Sequence, residues 1–456
     1  MRFGDIYQGF ILLFVFDSIL AEEENDAKSY EKAILTSLDG NLTVSIFKPS
    51  SMQGEDSDAS YFYESTRFDH GSMIGNMTYF SNILYDTDLW RSPHNPWNVE
   101  SGVGLASEFG FGDNGAYCGG MTCYWKSKEN EEKGGNFIIN GVLGYEDALP
   151  GEPFLKIGVG SLIKGSCNGC DGTEAYQFNN PYKFSGNQSV DEKWTFQQTS
   201  ESTITMKQKA SLKSPKNSKL YGYQLEKDIS LKYSTLEVEY KLTNLGEDDF
   251  HTPWYSHHFF TCDSKPVGTG YKVDFLKSEE SKPDLRRNEK KQAPIYEEPG
   301  VGSWSMPIAT YSRITNDPNA VSIAMSKSVE KGTKIKASFL QESAVNGNFV
   351  LHGCQRKITE NLINSTPGVS MYAVNIYIED GTISPEPLIL LSVKAGQTIS
   401  WTQRLEFDSD RSTSAKATGT HNGLQSFEYA IFGIAFFAVA YLVLKANRTS
   451  QYSPVP

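Results

Sequence analysis

The residues with the greatest capacity for chemistry lie between Phe250 and Asp263, in the stretch FHTPWYSHHFFTCD. This stretch contains three of the chain's seven histidines. Imidazole titrates near neutral pH, so these side chains can donate and accept protons under physiological conditions. Aromatic residues surround them, and aromatic rings suit the apolar faces of sugars. The stretch is therefore the first candidate for a site of proton transfer or sugar binding.

Alternating strands must position these histidines. Leu236–Leu242 (LEVEYKL) alternates apolar and charged residues, which predicts a half-buried antiparallel strand. The segments WTFQQT, STITMKQKA and YGYQLEKDISLKY precede it and predict consecutive strands of a meander. Successive side chains of a strand point to opposite faces. We therefore expect His257 to face the site and His258 to have a structural role on the other face.

The whole composition favours an all-β protein. Aromatic residues make up 12% of the chain, and the 39 glycines accompany many turn dipeptides. We also interpret Gly151–Gly165 as one strand that leads into a cysteine loop. Further strands are predicted at Leu42–Lys48, Ala309–Ile314, Val321–Met325, Ile335–Leu340, Met371–Ile378, Leu388–Val393 and Thr398–Phe407.

Three charged residues outside the histidine stretch are candidate ligands. Arg67 follows an aromatic strand and lies close to Asp69. It forms either a surface ion pair of little energetic value or a clamp on vicinal hydroxyls or a carboxylate. Glu108 lies in a glycine-rich segment without a phosphate-loop lysine, so we reject a nucleotide site; it is either a ligand carboxylate or a turn cap. Lys156 is the notable polar residue of its predicted strand.

The formal net charge of −13 argues against nucleic acid or an anionic membrane surface as a partner. Both ends nevertheless predict targeting segments. Residues 1–21 resemble a secretory signal, the alternative being a buried N-terminal segment. Residues 428–445 predict a transmembrane helix, reached through a flexible stalk at 409–427 and followed by a basic cytoplasmic tail at 446–456. We therefore expect a single-pass type I membrane protein whose domain, 22–408, is lumenal or extracellular.

Six cysteines fit this secretory context. Cys118 with Cys123, and Cys167 with Cys170, each bracket a short loop that contains glycine. A redox-active pair or a zinc site are alternatives, but an oxidising compartment favours structural disulfides. Glycosylation acceptor sequences occur at Asn41, Asn76, Asn187 and Asn364.

Four segments together resemble the galactose mutarotase-like family of aldose 1-epimerases and hexose-phosphate mutarotases. They are YESTRFDHG, GEPFLKIGVGSL, the YSHHFF end of the histidine stretch, and ISPEPLILLSVKAGQTISWTQRLEF. The resemblance covers Tyr61 to Phe407 and implies an antiparallel β-supersandwich of two large sheets. It matches the family's catalytic histidine to His257, its catalytic glutamate to Glu386, and its sugar-binding arginine to Arg67. A departure is Phe259, where the family often has tyrosine.

The resemblance implies aldose 1-epimerisation without a metal or cofactor. Glu386 would be the base and His257 the acid, each contributing about 10²–10⁴-fold to the rate. Asp263 would hold the substrate or orient the imidazole. The secretory context suggests a glycan end rather than a free hexose as the ligand.

Two alternatives remain at this point. The first is a non-catalytic carbohydrate-binding membrane protein that keeps the cleft but not the proton transfer. The second is a polysaccharide lyase or glycoside hydrolase. A hydrolase requires two carboxylates at a defined separation, and Glu108 with Glu386 is the candidate pair.

Overall fold

The computed structural model describes residues 32–48, 62–71, 73–86, 95, 98, 104–110, 142–178, 180–186, 194–277, 295–297, 307–340 and 345–409. The predicted signal segment, the transmembrane segment, the cytoplasmic tail and all of the stalk but Ser409 lie outside these ranges. Within them, no helix has the length and apolar character needed to cross a membrane.

The described chain consists almost entirely of β-strands. In order, they are β1 (Lys32–Thr36), β2 (Leu42–Phe47), β3 (Met73–Tyr79), β4 (Asn82–Tyr85), β5 (Leu105–Phe109), β6 (Pro153–Lys156), β7 (Gly160–Ile163), β8 (Thr195–Ser200), β9 (Thr203–Lys213), β10 (Leu220–Lys232), β11 (Thr235–Asn244), β12 (Phe250–His258), β13 (Lys272–Lys277), β14 (Ile295–Glu297), the helical turn α1 (Ile308–Tyr311), β15 (Ser312–Asn316), β16 (Ala320–Met325), β17 (Ile335–Leu340), β18 (Val345–His352), β19 (Arg356–Asn364), β20 (Val369–Glu379), β21 (Thr382–Val393) and β22 (Thr398–Ser409).

These strands form two large antiparallel sheets and one hairpin. Sheet I has the order β1-β2-β3-β5-β12-β21-β20-β17-β14, with β4 paired to β3. Sheet II has the order β15-β16-β13-β18-β19-β22-β11-β10-β9-β8, and β6 with β7 forms the hairpin. The all-β antiparallel prediction is confirmed, as is the meander β8–β11, whose strands are neighbours in sheet II.

The alternating sequence of β10 and β11 explains why sheet II has one dry face. In β11, buried positions alternate strictly with half-exposed ones. The core between the sheets includes Trp254 of sheet I, which packs against Trp401 of sheet II with ring centroids 5.5 Å apart. Tyr240 of sheet II stacks on Trp401 at 4.9 Å. Burial of such rings, at about 150–250 Å² each, is a major part of what holds the two sheets together.

Two predicted strands are wrong in detail. Gly151–Gly165 is not one strand but the hairpin β6–β7, which turns at Gly158. Gly158 has φ +82°, and a Cβ there would lie 2.1 Å from the Cβ of Asp69, so the turn requires glycine. The strand predicted at Ala309–Ile314 begins instead as the helical turn α1 and becomes extended only at Ser312.

The disulfide predicted between Cys167 and Cys170 is present. A second bridge, Cys262–Cys354, was not predicted; it joins the end of β12 in sheet I to the turn between β18 and β19 in sheet II. Cys118 and Cys123 lie outside the described residues, as does the sequon asparagine Asn187. The other sequon asparagines lie before β2 (Asn41), in β3 (Asn76) and at the end of β19 (Asn364).

Candidate active site

The register of sheet I brings His257 and Glu386 together. Tyr255 of β12 pairs with Leu388 of β21, and Phe260 forms a bridge to Ile383. Between these two pairs, His257 lies directly opposite Glu386, with its Nε2 3.2 Å from Glu386 Oε1. The two side chains are only 5% and 7% exposed.

Glu386 lies within the strand β21, between two prolines. The strand predicted from Leu388 begins at Thr382, so β21 continues through both prolines; there it pairs with β20, while its ladder with β12 runs from Leu388 to Val393. Proline has no N–H to donate to the ladder. Beside the prolines, the backbone N–H of His258 donates to the Ser384 hydroxyl oxygen at 2.9 Å.

The environment of Glu386 gives its carboxyl group a pKa that suits a general base. Burial raises its pKa from 4.5 to about 7, and hydrogen bonds from Ser384 and Asn375 together with the charges of Arg67 and Lys336 oppose this rise. Ser384 Oγ donates to Glu386 Oε1 at 2.9 Å. A general base works best when its pKa lies near the working pH.

Aromatic rings enclose His257. Its imidazole stacks on Phe259 with ring centroids 4.0 Å apart. Phe68 and Tyr377 meet it edge-on, at 5.7 Å and 5.4 Å. Phe259 thus acts as a wall of the imidazole site.

Arg67, Glu108 and Lys156 form one buried cluster. Glu108 Oε2 accepts Arg67 Nε at 3.1 Å and the Tyr255 hydroxyl at 2.6 Å, and its Oε1 lies 3.4 Å from Lys156 Nζ. Lys156 also donates to the Tyr176 hydroxyl at 2.8 Å. Burial lowers the pKa of Lys156 to about 8, although the charge of Glu108 opposes this. Glu108 is not a turn cap but a strand residue whose carboxylate contacts two cations; its role as a ligand carboxylate stays a prediction.

Electrostatics connects this cluster with the catalytic candidates. The charge of Arg67 opposes the rise that burial causes in the pKa of Glu386; burial likewise raises the pKa of Tyr255, Arg67 opposes this, and the charges of Glu108 and Glu386 add to it. Sequence reasoning missed Tyr255, yet it lies two residues before His257 and therefore shares its face of the strand. The alternation of side chains along the strand is the sequence feature that could have identified Tyr255.

The loop that carries Arg67 is held by a buried ion pair. Asp69 does not pair with its neighbour Arg67; its two carboxylate oxygens lie 2.6 Å from Nζ of Lys227 on β10. Lys227 Nζ also donates to the carbonyl of Gly71 at 2.6 Å. Both charged side chains are fully buried, so this ion pair fastens the loop to sheet II.

Asp263 lies elsewhere. Its carboxylate accepts the backbone N–H of Ile83 at 2.8 Å and the side-chain amide of Gln355 at 2.5 Å, and lies 3.6 Å from Lys265 Nζ. The prediction that Asp263 orients the imidazole of His257 is therefore wrong, and these contacts give no support to substrate binding. The residue instead fixes the loop after β12 next to the second disulfide.

His258 faces the core between the sheets, as the alternation predicts. Its Nε2 lies 2.8 Å from Glu360 Oε2 on sheet II, and its Nδ1 lies 2.8 Å from the Tyr85 hydroxyl. Gln403 also donates to Glu360 at 2.9 Å. This fully buried network joins the two sheets directly behind the candidate site.

No family model matches the chain, and no curated protein matches it. Similar solved structures include a protein of Synechocystis (10% identity, TM-score 0.41, covering 84% of this chain and 97% of that one). A putative aldose 1-epimerase from Escherichia coli has 12% identity and a TM-score of 0.37, covering 84% and 100%. A galactose mutarotase-like protein from Lactobacillus casei has 11% identity and a TM-score of 0.37, covering 83% and 100%. Because the identities and TM-scores are this low, we conclude nothing about this chain from them.

Proposed function

We propose that this protein is an aldose 1-epimerase-like isomerase that interconverts the anomers of a sugar or of a glycan end. The contact between His257 Nε2 and Glu386 Oε1, 3.2 Å apart in a nearly closed aromatic site, carries the proposal. The resemblance of the surrounding sequence to mutarotases supports it.

The chemistry needs a base and an acid side by side. Ring opening removes a proton from the anomeric hydroxyl and delivers a proton to the ring oxygen, and both oxygens are bonded to the same carbon. Glu386 as carboxylate takes the first proton, and His257 as imidazolium gives the second. Rotation about the C1–C2 bond of the open form and the reverse transfers then close the ring with the other configuration. The two residues return to their starting protonation, so no metal or cofactor is needed.

The cluster around Glu108 argues against glycoside hydrolysis. Glu108 is fully buried and already accepts hydrogen bonds from Arg67 and Tyr255. A hydrolase needs both carboxylates to reach the glycosidic oxygen, the anomeric carbon or a water. We therefore propose that Glu108 orients Arg67 and Tyr255 towards the substrate rather than reacting itself.

The rival with specific support is a sugar-binding protein without catalysis, because the same enclosed aromatic site serves either role. A zinc site at the cysteine loop has less support. Among the described residues, the one group of possible metal ligands is Cys167, Cys170 and Glu174, and its two cysteines are joined in a disulfide.

We further propose that the domain functions in the secretory lumen or outside the cell, anchored through residues 428–445 as a type I protein. The two disulfides support this compartment, because such bonds persist in oxidising surroundings. The Cys262–Cys354 bridge spans 92 residues and links both sheets, so this cross-link of the fold depends on an oxidising environment.

The test is anomer exchange measured by NMR with the full-length protein and a panel of aldoses and uronic acids. We expect acceleration by the wild type and a loss of about 10²-fold or more in Glu386→Gln and in His257→Asn. His251→Asn is the matched control, since His251 lies on the same strand but contacts Ser392 at 2.8 Å. No acceleration, with saturable binding that survives both substitutions, would identify a sugar-binding protein instead.

A further inference from the structure

Ser384 contacts both members of the proposed catalytic pair. Its side chain shares a face of β21 with Glu386, to whose Oε1 it donates at 2.9 Å. The same hydroxyl oxygen accepts the N–H of His258 at 2.9 Å and lies 3.3 Å from His257 Nδ1. Ser384 is fully buried.

These contacts determine where the hydrogens lie. A hydroxyl carries one hydrogen, and the Ser384 hydrogen is directed to Glu386. The oxygen is then an acceptor on the side of His257. His257 Nδ1 also lies 3.3 Å from the backbone carbonyl of His258, which can only accept. Both neighbours therefore favour a hydrogen on Nδ1, so that in the neutral imidazole Nε2 is unprotonated and points to Glu386.

We propose that Ser384 is a positioning residue that holds His257 as the Nδ1–H tautomer and favours the carboxylate–imidazolium form of the His257–Glu386 pair. The inference rests on the proposed epimerase function. A hydrogen bond donated to a carboxylate, or accepted from an imidazolium, stabilises the charged form of each group. In this form Glu386 is ready to take the anomeric proton and His257 is ready to give one to the ring oxygen.

Other polar and charged groups near the pair keep their identity when Ser384 is replaced, but the backbone N–H of His258 loses its acceptor in Ser384→Ala and keeps it in Ser384→Thr. These groups are Arg67 of the loop, Glu108 of β5, Tyr255 and His258 of β12, Lys336 of β17, and Asn375 and Tyr377 of β20.

The first experiment compares the pH profile of kcat/KM for wild type, Ser384→Ala and Ser384→Thr as full-length proteins. In Ser384→Ala, the acid limb should move to higher pH because the carboxylate loses a donor. The alkaline limb should move to lower pH because the imidazolium loses an acceptor. The maximum should fall by about tenfold or more, and Ser384→Thr should restore most of it because it keeps the hydroxyl.

Thr382→Val is the matched control for loss of a buried hydroxyl on the same strand. The Thr382 hydroxyl makes no hydrogen bond among the described residues. This control should keep both limbs in place. A Ser384→Ala profile that is lower but unmoved would overturn the proposal, because loss of structure alone changes the height and not the limbs.

A second measurement is independent of catalysis. In [15N]histidine-labelled full-length protein, with the His257→Asn variant for assignment, we expect protonated Nδ1 and unprotonated Nε2 in the neutral His257 ring. Ser384→Ala should give a mixture of tautomers. A wild-type ring protonated on Nε2 would overturn the role of Ser384 even if the protein is an epimerase. Absence of anomer exchange with the expected tautomer would instead overturn only the epimerase.

Discussion

Glu386→Gln should stabilise the fold at alkaline pH while it abolishes the proposed activity. Burial is the largest influence on Glu386 and raises its pKa from 4.5 to about 7. In this pH interval the folded protein therefore binds more protons than the unfolded chain, and its stability falls as pH rises from about 4.5 through 7. Above that window the full cost of the buried carboxylate is present.

The expected magnitude follows from that shift. A rise from 4.5 to about 7 corresponds to about 3 kcal/mol of unfolding free energy lost at pH 8. Glutamine has nearly the same shape and keeps an acceptor for Ser384, but it carries no charge. Glu386→Gln should then be more stable than wild type by up to about 3 kcal/mol at pH 8, with a difference near zero at pH 4.

Guanidinium unfolding of the full-length proteins at pH 4, 6 and 8 measures this difference. Glu239→Gln is the control, because Glu239 of β11 has a side chain that is 44% exposed. Its removal should give no comparable gain at any pH. A Glu386→Gln protein that is less stable than wild type at pH 8 would refute the reasoning, since it would show that the partners outweigh burial.

Two further predictions concern the frame of the site and its compartment. Lys227→Met should destabilise the protein by about 3–5 kcal/mol in denaturant unfolding, because it leaves the fully buried Asp69 without its cation. Adding Asp69→Asn should recover part of this loss. If the free-energy changes of the two substitutions simply add, the two residues do not form a direct pair. In sealed microsomes the domain should be protected from added protease and should carry endoglycosidase-sensitive glycans, whereas digestion without detergent would place it on the cytosolic side.

The sequence was most informative where a strand has one dry face. In β10 and β11 the buried and half-exposed positions alternate, so the period of the pattern directly reflects the structure. It was least informative where backbone conformation depended on a distant contact. The turn at Gly158 exists because Asp69 packs against it, and Asp69 is placed by Lys227 of the other sheet.

In the candidate site, too, the sequence predicts individual residues but not the distant contacts between them. The sequence nominated His257, Glu386, Arg67, Glu108 and Lys156, but no spacing along the chain relates these residues. The proximity of His257, Glu386 and Glu108 comes from the register of β5, β12 and β21, which is set only when the sheet forms, and Arg67 and Lys156 reach them from a loop and from the β6–β7 hairpin. Asp263 does not contact the imidazole of His257, since the chain turns after β12, where Cys262, Asp263 and Ser264 all have positive φ.

The strand β12 explains why the site lies where it does. Apart from His251, every residue of this strand is buried, so it lacks the alternation of its neighbours. One face, with Trp254 and His258, packs against sheet II; the other, with Tyr255 and His257, lines the candidate site. His257 and His258 each have a carboxylate partner, Glu386 at the candidate site and Glu360 in the core. Ser384 accepts the His258 N–H and donates to Glu386. A shift of β12 in the core would therefore change the contacts of the proposed catalytic pair.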